Sequence, residues 1–461
     1  MYEIPFGQKV HIGLVKQSQY IISTMITTSL LIFYTDYIGL ENSAIFGFAI
    51  FVYGFWNAIN DPLFGYYSDM RVSKGKMRMP FIKLGMPIML VGFLMMIFVP
   101  RGWADWDIFF LLLFGLIVFD LGKALSMVNY DAYCITLANN PDERSKLNMI
   151  VSYVGIIPGA LIGIVPPYFL TGDFVYIEIL IFFLVLVLSF FFISLFSLSR
   201  LEEPPEMYLV IPEQDRFDTS GRKKNAFTLK EGFQQTLTSK PFLILILFRF
   251  IVFFYHGIYY TNIIYMMKWV VPISGTIALL VAGAGGLMIN IMYPIIIKLR
   301  KKHGTIKIIQ WGLFAGIPGY IIMFFAIDFW SLTIGYMIST IAFSGLFFEP
   351  VLIGDVADDD FINTGTQKQG MFVSIYGFFN TLSYSIVIFI FTLGLEFFQY
   401  NGELEVQSDF TIFGLRILAS LLPIIAIILS AIILNFFPLK GERYKKLRSQ
   451  IKEYYEKKNE I

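Results

Sequence analysis

The chain has 461 residues, of which 56% are hydrophobic, 18% aromatic and only 15% charged, and its mean hydropathy of +0.67 suits lipid rather than water as the solvent. A net charge of +1 excludes a general electrostatic pull toward nucleic acid. The single cysteine, Cys134, excludes an internal disulfide, and His11, His256 and His303 make no metal-ligand spacing, so no cofactor is expected.

The N-terminus opens polar, with Lys9, His11 and Lys16 ahead of an apolar run. It shows no short apolar region followed by a small-residue cleavage site, so the first span is expected to be retained. A bilayer core of about 30 Å needs about 20 mostly apolar residues per helix. Such runs predict twelve transmembrane helices, I to XII, at 14–36, 43–68, 80–100, 107–138, 147–171, 174–198, 240–268, 272–299, 306–327, 330–353, 369–397 and 410–438. The longest polar stretch falls between helices VI and VII and carries Glu202, Pro204, Pro205, Arg222, Lys223 and Lys224. The expected organisation is an N-terminal six-helix bundle (1–198), a central cytoplasmic loop (199–239), a C-terminal six-helix bundle (240–438) and a basic cytoplasmic tail (439–461).

Alternate loops are rich in Lys and Arg: Arg71, Lys74, Lys76 and Arg78; Arg144 and Lys146; Lys298, Arg300, Lys301 and Lys302. The positive-inside rule makes these loops cytoplasmic, with both termini inside. The intervening loops carry Asp36 and Glu41, Asp105 and Asp107, Asp173, and Glu403, Glu405 and Asp409. The expectation is a multi-pass protein of the plasma membrane, acting as a monomer on a small-molecule solute.

An ionisable group at the bilayer centre costs at least about 2.5–3.5 kcal/mol, so each one usually faces a bundle interior or a watery cavity. Helix II holds Asn57, Asn60 and Asp61, a set of oxygen donors fit for a small cation; Asp61 alone could carry a proton, or be fixed in a salt bridge. Helix IV holds Asp120, Lys123, Met127, Tyr130 and Asp131, and at 100° per residue the two aspartates point within about 20° of each other along one polar stripe. Lys123 neutralising Asp120 one turn away is the architectural alternative. Tyr20 on helix I, Arg249 on helix VII and Asn380 on helix XI add groups able to hydrogen-bond a polar solute. Asp69, Arg71, Arg144, Asp355 and Asp358 are candidates for a cytoplasmic gate, with Arg144 expected to pair with Asp355 or Asp358.

The segment Trp56-Asn-Ala-Ile-Asn-Asp-Pro62, continuing to Gly75-Lys-Met-Arg-Met-Pro80, resembles the helix II signature of the glycoside-pentoside-hexuronide:cation symporters, the melibiose permease family within the major facilitator superfamily. Further similar segments are Tyr34–Leu40, Pro141–Leu147, Lys240–Phe242, Gly354–Asp358, Gly365–Gly370 and Pro438–Arg443, so the resemblance spans essentially the whole length. It implies the major facilitator fold, an all-α membrane protein of twelve helices in two bundles with alternating access, a cation site between helices II and IV and a sugar site at the bundle interface. Asn57 stands where the family has its first helix II aspartate. Tyr20, Met127 and Asn380 stand where it has sugar-binding aspartates on helices I and IV and a lysine on helix XI.

These readings point to a cation-coupled symporter of a sugar, glycoside or related polar solute, with H+ or Na+ as the coupling ion and Asp61 as the coupling carboxylate. Sodium-dependent lysophospholipid symporters look like the same family and supply the alternative. No catalytic motif such as HExxH, Gly-x-Ser-x-Gly or a phosphate-binding glycine loop occurs, which argues against an enzyme.

Overall fold

The computed structural model describes residues 4–72, 77–137, 141–203, 236–364 and 369–459, with side chains described outside 61–72, 132, 135–136, 141–142, 144–145, 369–371, 373–374, 452 and 454–459. The described residues form helices joined by short turns, without a strand. In hydrocarbon every backbone N–H and C=O must find its partner inside the protein, and a helix does this within one segment.

Twelve helices are long and apolar enough to span a bilayer. They are α1 (Phe6–Ile38), α2 (Ser43–Val72), α3 (Met79–Ile97), α4 (Asp105–Asp131), α5 (Lys146–Thr171), α6 (Tyr176–Ser199), α7 (Lys240–Val270), α8 (Gly275–His303), α9 (Thr305–Phe324), α10 (Phe329–Thr364), α11 (Gln369–Phe397) and α12 (Asp409–Asn435). A polar helix, α13 (Gly441–Asn459), follows. All twelve predicted spans are present. The largest departures lie at polar ends, where hydropathy gives no signal because protein groups, not lipid, satisfy the side chains. At the start of α1, Lys9 is buried against Glu143 at 2.5 Å, and Glu143 also accepts from the Ile4 N–H at 3.0 Å. At the end of α10, Asp355, Asp358 and Asp359 are met by Arg448 and Arg443 of α13.

Contacts gather the chain into two compact units. Unit 1 comprises Met1–Lys224, Tyr260–Gly283 and Ile388–Leu415; unit 2 comprises Asn225–Tyr259, Ala284–Val387 and Arg416–Ile461. Parts of α7, α8, α11 and α12 thus belong with α1–α6, a grouping that a division at the central loop does not anticipate. Unit 1 has a core of Ile4, Ile12, Val15, Met79, Ile82, Met86, Tyr130, Tyr133 and neighbouring aliphatics. In unit 2, Tyr255 stacks on Phe343 (5.7 Å between ring centres) and Tyr259 on Tyr336 (4.7 Å).

Lipid tails are as apolar as leucine, so helices associate in a bilayer through close packing at small residues. One seam of this kind joins α3 to α4, where a Cβ on Gly122 would lie 2.2 Å from the Met89 backbone nitrogen. Its counterpart six helices later joins α9 to α10, where a Cβ on Gly319 would lie 2.1 Å from the Ser339 nitrogen. The two seams bring backbones together in the same way, at glycines.

Candidate functional site

Tyr53, Asn57 and Asn60 recur at i, i+4 and i+7 along one face of α2. That face meets Asp120 of α4, whose side chain is fully buried. Asn60 Nδ2 donates to Asp120 Oδ2 at 2.8 Å, the Tyr53 hydroxyl donates to Asp120 Oδ1 at 3.1 Å, and Asn57 Nδ2 donates to the Tyr53 oxygen at 2.7 Å. Lys123 Nζ stays 3.7 Å from Asp120 Oδ1, a loose ion pair. Asn57 Oδ1 is buried and accepts no hydrogen bond among the described residues. A buried carboxylate and an amide oxygen without a hydrogen bond among the described residues thus belong to one polar cluster inside membrane spans, and oxygens of this kind suit a hard monovalent cation or a proton. The side chain of Asp61 lies outside the described residues.

The expected stripe along α4 does not form. Asp120 is buried, whereas the Asp131 side chain is 52% exposed and pairs with Lys16 of α1 at 2.7 Å. The cause is a π-helical turn at Ala124–Val128, which widens the helix between the two aspartates and rotates everything after it off the 3.6-residue register. Asp120, expected to contact solute, is hydrogen-bonded into the α2–α4 cluster. Tyr130, also read as a solute contact, is fully buried in the core, and its hydroxyl donates to the Ile12 carbonyl at 2.5 Å. Tyr20 is half-exposed, and Met127 Sδ receives the Ser23 hydroxyl at 3.9 Å.

Unit 2 holds a second polar cluster. Arg249 of α7 reaches Glu349 of α10 with Nη1 at 2.8 Å and donates from Nε to Asn380 Oδ1 of α11 at 2.7 Å. The Tyr376 hydroxyl donates to the other Glu349 oxygen, and the guanidinium lies 4.5 Å from the Phe253 ring centre. Arg249 and Asn380, selected separately from the sequence, are thus adjacent. Glu349 and Tyr376 were missed. Glu349 sits within helix X beside Pro350, and an acid inside a span was the available signal.

At the end of the spans that carries the basic loops, Arg448 holds both Asp355 and Asp358, the latter at 3.0 Å, and Arg443 holds Asp359 at 3.1 Å. A tail arginine therefore partners both gate aspartates; the side chains of Asp69, Arg71 and Arg144 lie outside the described residues. The acidic-loop end of unit 1 carries a network that sequence reading passed over. The Asp36 side chain, fully buried, meets Lys268 Nζ at 2.6 Å, the Tyr400 hydroxyl at 2.6 Å and the Thr35 hydroxyl at 2.6 Å. Trp269 Nε1 donates to the Tyr400 oxygen at 2.8 Å, and Lys268 lies 4.8 Å from the Tyr37 ring centre. Asp36 and Lys268 each sit in a π-helical turn, Tyr34–Ile38 and Met266–Val270, a local geometry frequent at functional positions.

A family model described as MFS/sugar transport protein matches residues 12–441. The chain belongs to this family. Together with the twelve spans, membership makes it a multi-pass membrane transporter of the major facilitator superfamily. Among solved structures, it is similar to the nucleoside transporter NupG (TM-score 0.62, 11% identity, covering 93% of this chain and 98% of that one). It is also similar to a bacterial homologue of the human lysosomal transporter Spinster (TM-score 0.61, 13% identity, 95% and 97%) and to the inward-open xylose transporter XylE of E. coli (TM-score 0.58, 13% identity, 96% and 98%). At these identities the likeness is one of fold. Among curated proteins, the sphingosine-1-phosphate transporter MFSD2B of Xenopus tropicalis is 31% identical over 152 residues. That match spans 32% of this chain and 29% of the relative's length.

Proposed function

We propose that this MFS/sugar transport family member is a cation-coupled symporter of a polar solute, in the sugar and glycoside range, with both termini cytoplasmic in a plasma membrane. The observation that carries the proposal is Asp120: a carboxyl fully buried inside a span, held by Tyr53 and Asn60 beside the unpartnered Asn57 Oδ1. An acid kept in hydrocarbon at a cost of about 2.5–3.5 kcal/mol supports a functional charge, and oxygen donors without a competing strong ion pair support a cation or proton as its partner. Asn57 and Asn60 complete the cation site, with Asp61 on the same helix; H+ and Na+ both fit the chemistry.

Coupling is differential affinity: cation occupancy favours the conformation that accepts solute, and joint occupancy favours release at the opposite face. Solute hydrogen bonding is assigned to the cluster of Arg249 and Asn380 in unit 2. The test is Asp120→Asn in proteoliposomes. Accumulation driven by a cation gradient should fall about 5- to 150-fold, the range of a coupling free energy of 1–3 kcal/mol, while downhill solute exchange persists. Undiminished accumulation in the variant would contradict the assignment. A second reading, transport of a lysolipid-like phosphate ester, is favoured by the partial match to MFSD2B and predicts lysophospholipid uptake with no response to glycosides.

A further inference from the structure

We propose that Arg249 and Glu349 form a proton-exchangeable anion site in which a proton taken up by Glu349 frees Arg249 to hold a carboxylate or phosphate oxygen of the solute. The inference rests on the transport reading above and narrows its substrate to an anionic one.

Both side chains lie within membrane spans, 13% and 8% exposed, and are bonded at 2.8 Å. A buried ion pair is poor evidence of stabilisation, because well-packed apolar residues in its place are often neutral or better. Its presence here is explained by a second state in which the pair opens. Arginine suits that role: its planar fork matches a carboxylate or phosphate with two parallel N–H donors, and its charge is permanent. In the structure that fork is occupied by Glu349 and Asn380, so the protein's own carboxylate stands where a solute anion would bind. Asn380 and Phe253 keep the guanidinium in place when Glu349 lets go.

Charge balance then links the two ligands. With Glu349 ionised the pair is neutral. When a proton from the aqueous phase binds a Glu349 oxygen, the pair carries one positive charge, and one anionic oxygen on Arg249 restores neutrality. Either half-step alone leaves a net charge inside the membrane, so proton and anion enter together. A leftover donor points the same way: the Tyr255 hydroxyl is fully buried, without a hydrogen-bond partner among the described residues, and within electrostatic reach of both Arg249 and Glu349. Among the described residues, the charged and titratable groups around the pair are Arg249, Tyr255 and His256 of α7 and Tyr376 of α11, with Asp355 further along α10 engaged by Arg448 of α13.

The experiment titrates the purified full chain in detergent with methyl β-D-glucuronide, lysophosphatidate or neutral methyl β-D-glucoside, reading thermal stabilisation from pH 8 to pH 5.5. One anionic probe should bind, with apparent Kd tightening by up to about tenfold per pH unit on acidification, as linkage to one proton requires. The uronide responding alone would name a sugar acid, and the lysophosphatidate alone a phospholipid. Glu349→Gln, an uncharged stand-in for the protonated acid, should bind the anion at pH 8 as tightly as the wild type does at low pH and lose the pH dependence, while Arg249→Gln should abolish binding. The proposal is overturned by equal stabilisation with the glucoside, by an unchanged pH dependence in Glu349→Gln, or by no response to either anion. If Glu349→Gln does not fold, the wild type decides alone, a flat pH profile being the contrary result. Gradient-driven uptake of a neutral glycoside without any anion response would end this inference and leave the transporter reading standing.

Discussion

Asp120 and Glu143 show how differently two buried acids can be used. Asp120 sits in hydrocarbon with neutral hydrogen-bond donors and one loose cation, whereas Glu143 lies outside the spans, clasped by Lys9 at 2.5 Å and by the Ile4 N–H. The Lys9 ammonium bonded to Glu143 holds its carboxyl below the usual carboxylate range. A depressed carboxylate contributes stability that is fully present above the unfolded value of about 4.3 and is lost as pH falls through the folded value. Glu143→Gln should therefore lower the unfolding temperature at pH 7 and flatten its decline below about pH 4.3. Wild-type and variant curves running parallel through the acid range would show that the pair contributes nothing. The sequence singles out Asn57, Asn60, Arg249 and Asn380, because a polar group in an apolar run is conspicuous, and the structure places them in two polar clusters. Tyr53 and Tyr376 were not legible: a tyrosine in a membrane helix looks like packing until its hydroxyl is seen on a carboxylate.

At the scale of the element, one local departure from the α-helix decides which residues share a site. The π-turn at Ala124–Val128 separates Asp120 from Asp131, and no apolar periodicity announces it, so ideal geometry placed both on one stripe. The glycine seam between α3 and α4 makes a sharper prediction. Gly122→Ala drives a Cβ into the Met89 backbone, which no side-chain rotation relieves, and should cost about 1–3 kcal/mol. Gly163→Ala on α5, where a Cβ meets nothing within 4 Å, should instead gain about 0.5–1 kcal/mol from helix propensity. Thermal unfolding of the two variants checks this, and equal shifts would contradict it. The Asp36–Lys268–Tyr400 network ties α1, α7 and the turn after α11 together within unit 1. Truncating Lys268 to Ala leaves a fully buried carboxylate without its cation, so that end should open more often. With Cys134 replaced by Ser and Ile38 by Cys, labelling by a maleimide in detergent should accelerate about 5- to 150-fold in Lys268→Ala, and an unchanged rate would show that the network does not hold that end closed.

For the whole molecule, the twelve spans were legible because lipid imposes one strict rule, continuous apolar length, and their polar ends were not because protein partners override it. The two compact units were not legible either. Their composition depends on contacts such as Asp36 with Lys268 and Ser43 with Thr392, which join residues more than two hundred positions apart. What unites the Asp120 cluster, the Arg249 cluster and the Asp36–Lys268 network is the cost of charge in a membrane: each gives its buried ionisable groups hydrogen-bond and ion-pair partners. The decisive measurement is uptake into proteoliposomes of labelled glycosides, pentosides, uronides and lysophospholipids under a sodium gradient, a proton gradient or neither. Accumulation of one polar solute above equilibrium under one of the two gradients, and its absence without a gradient, is the expected result. Equilibration that ignores both gradients would contradict cation coupling.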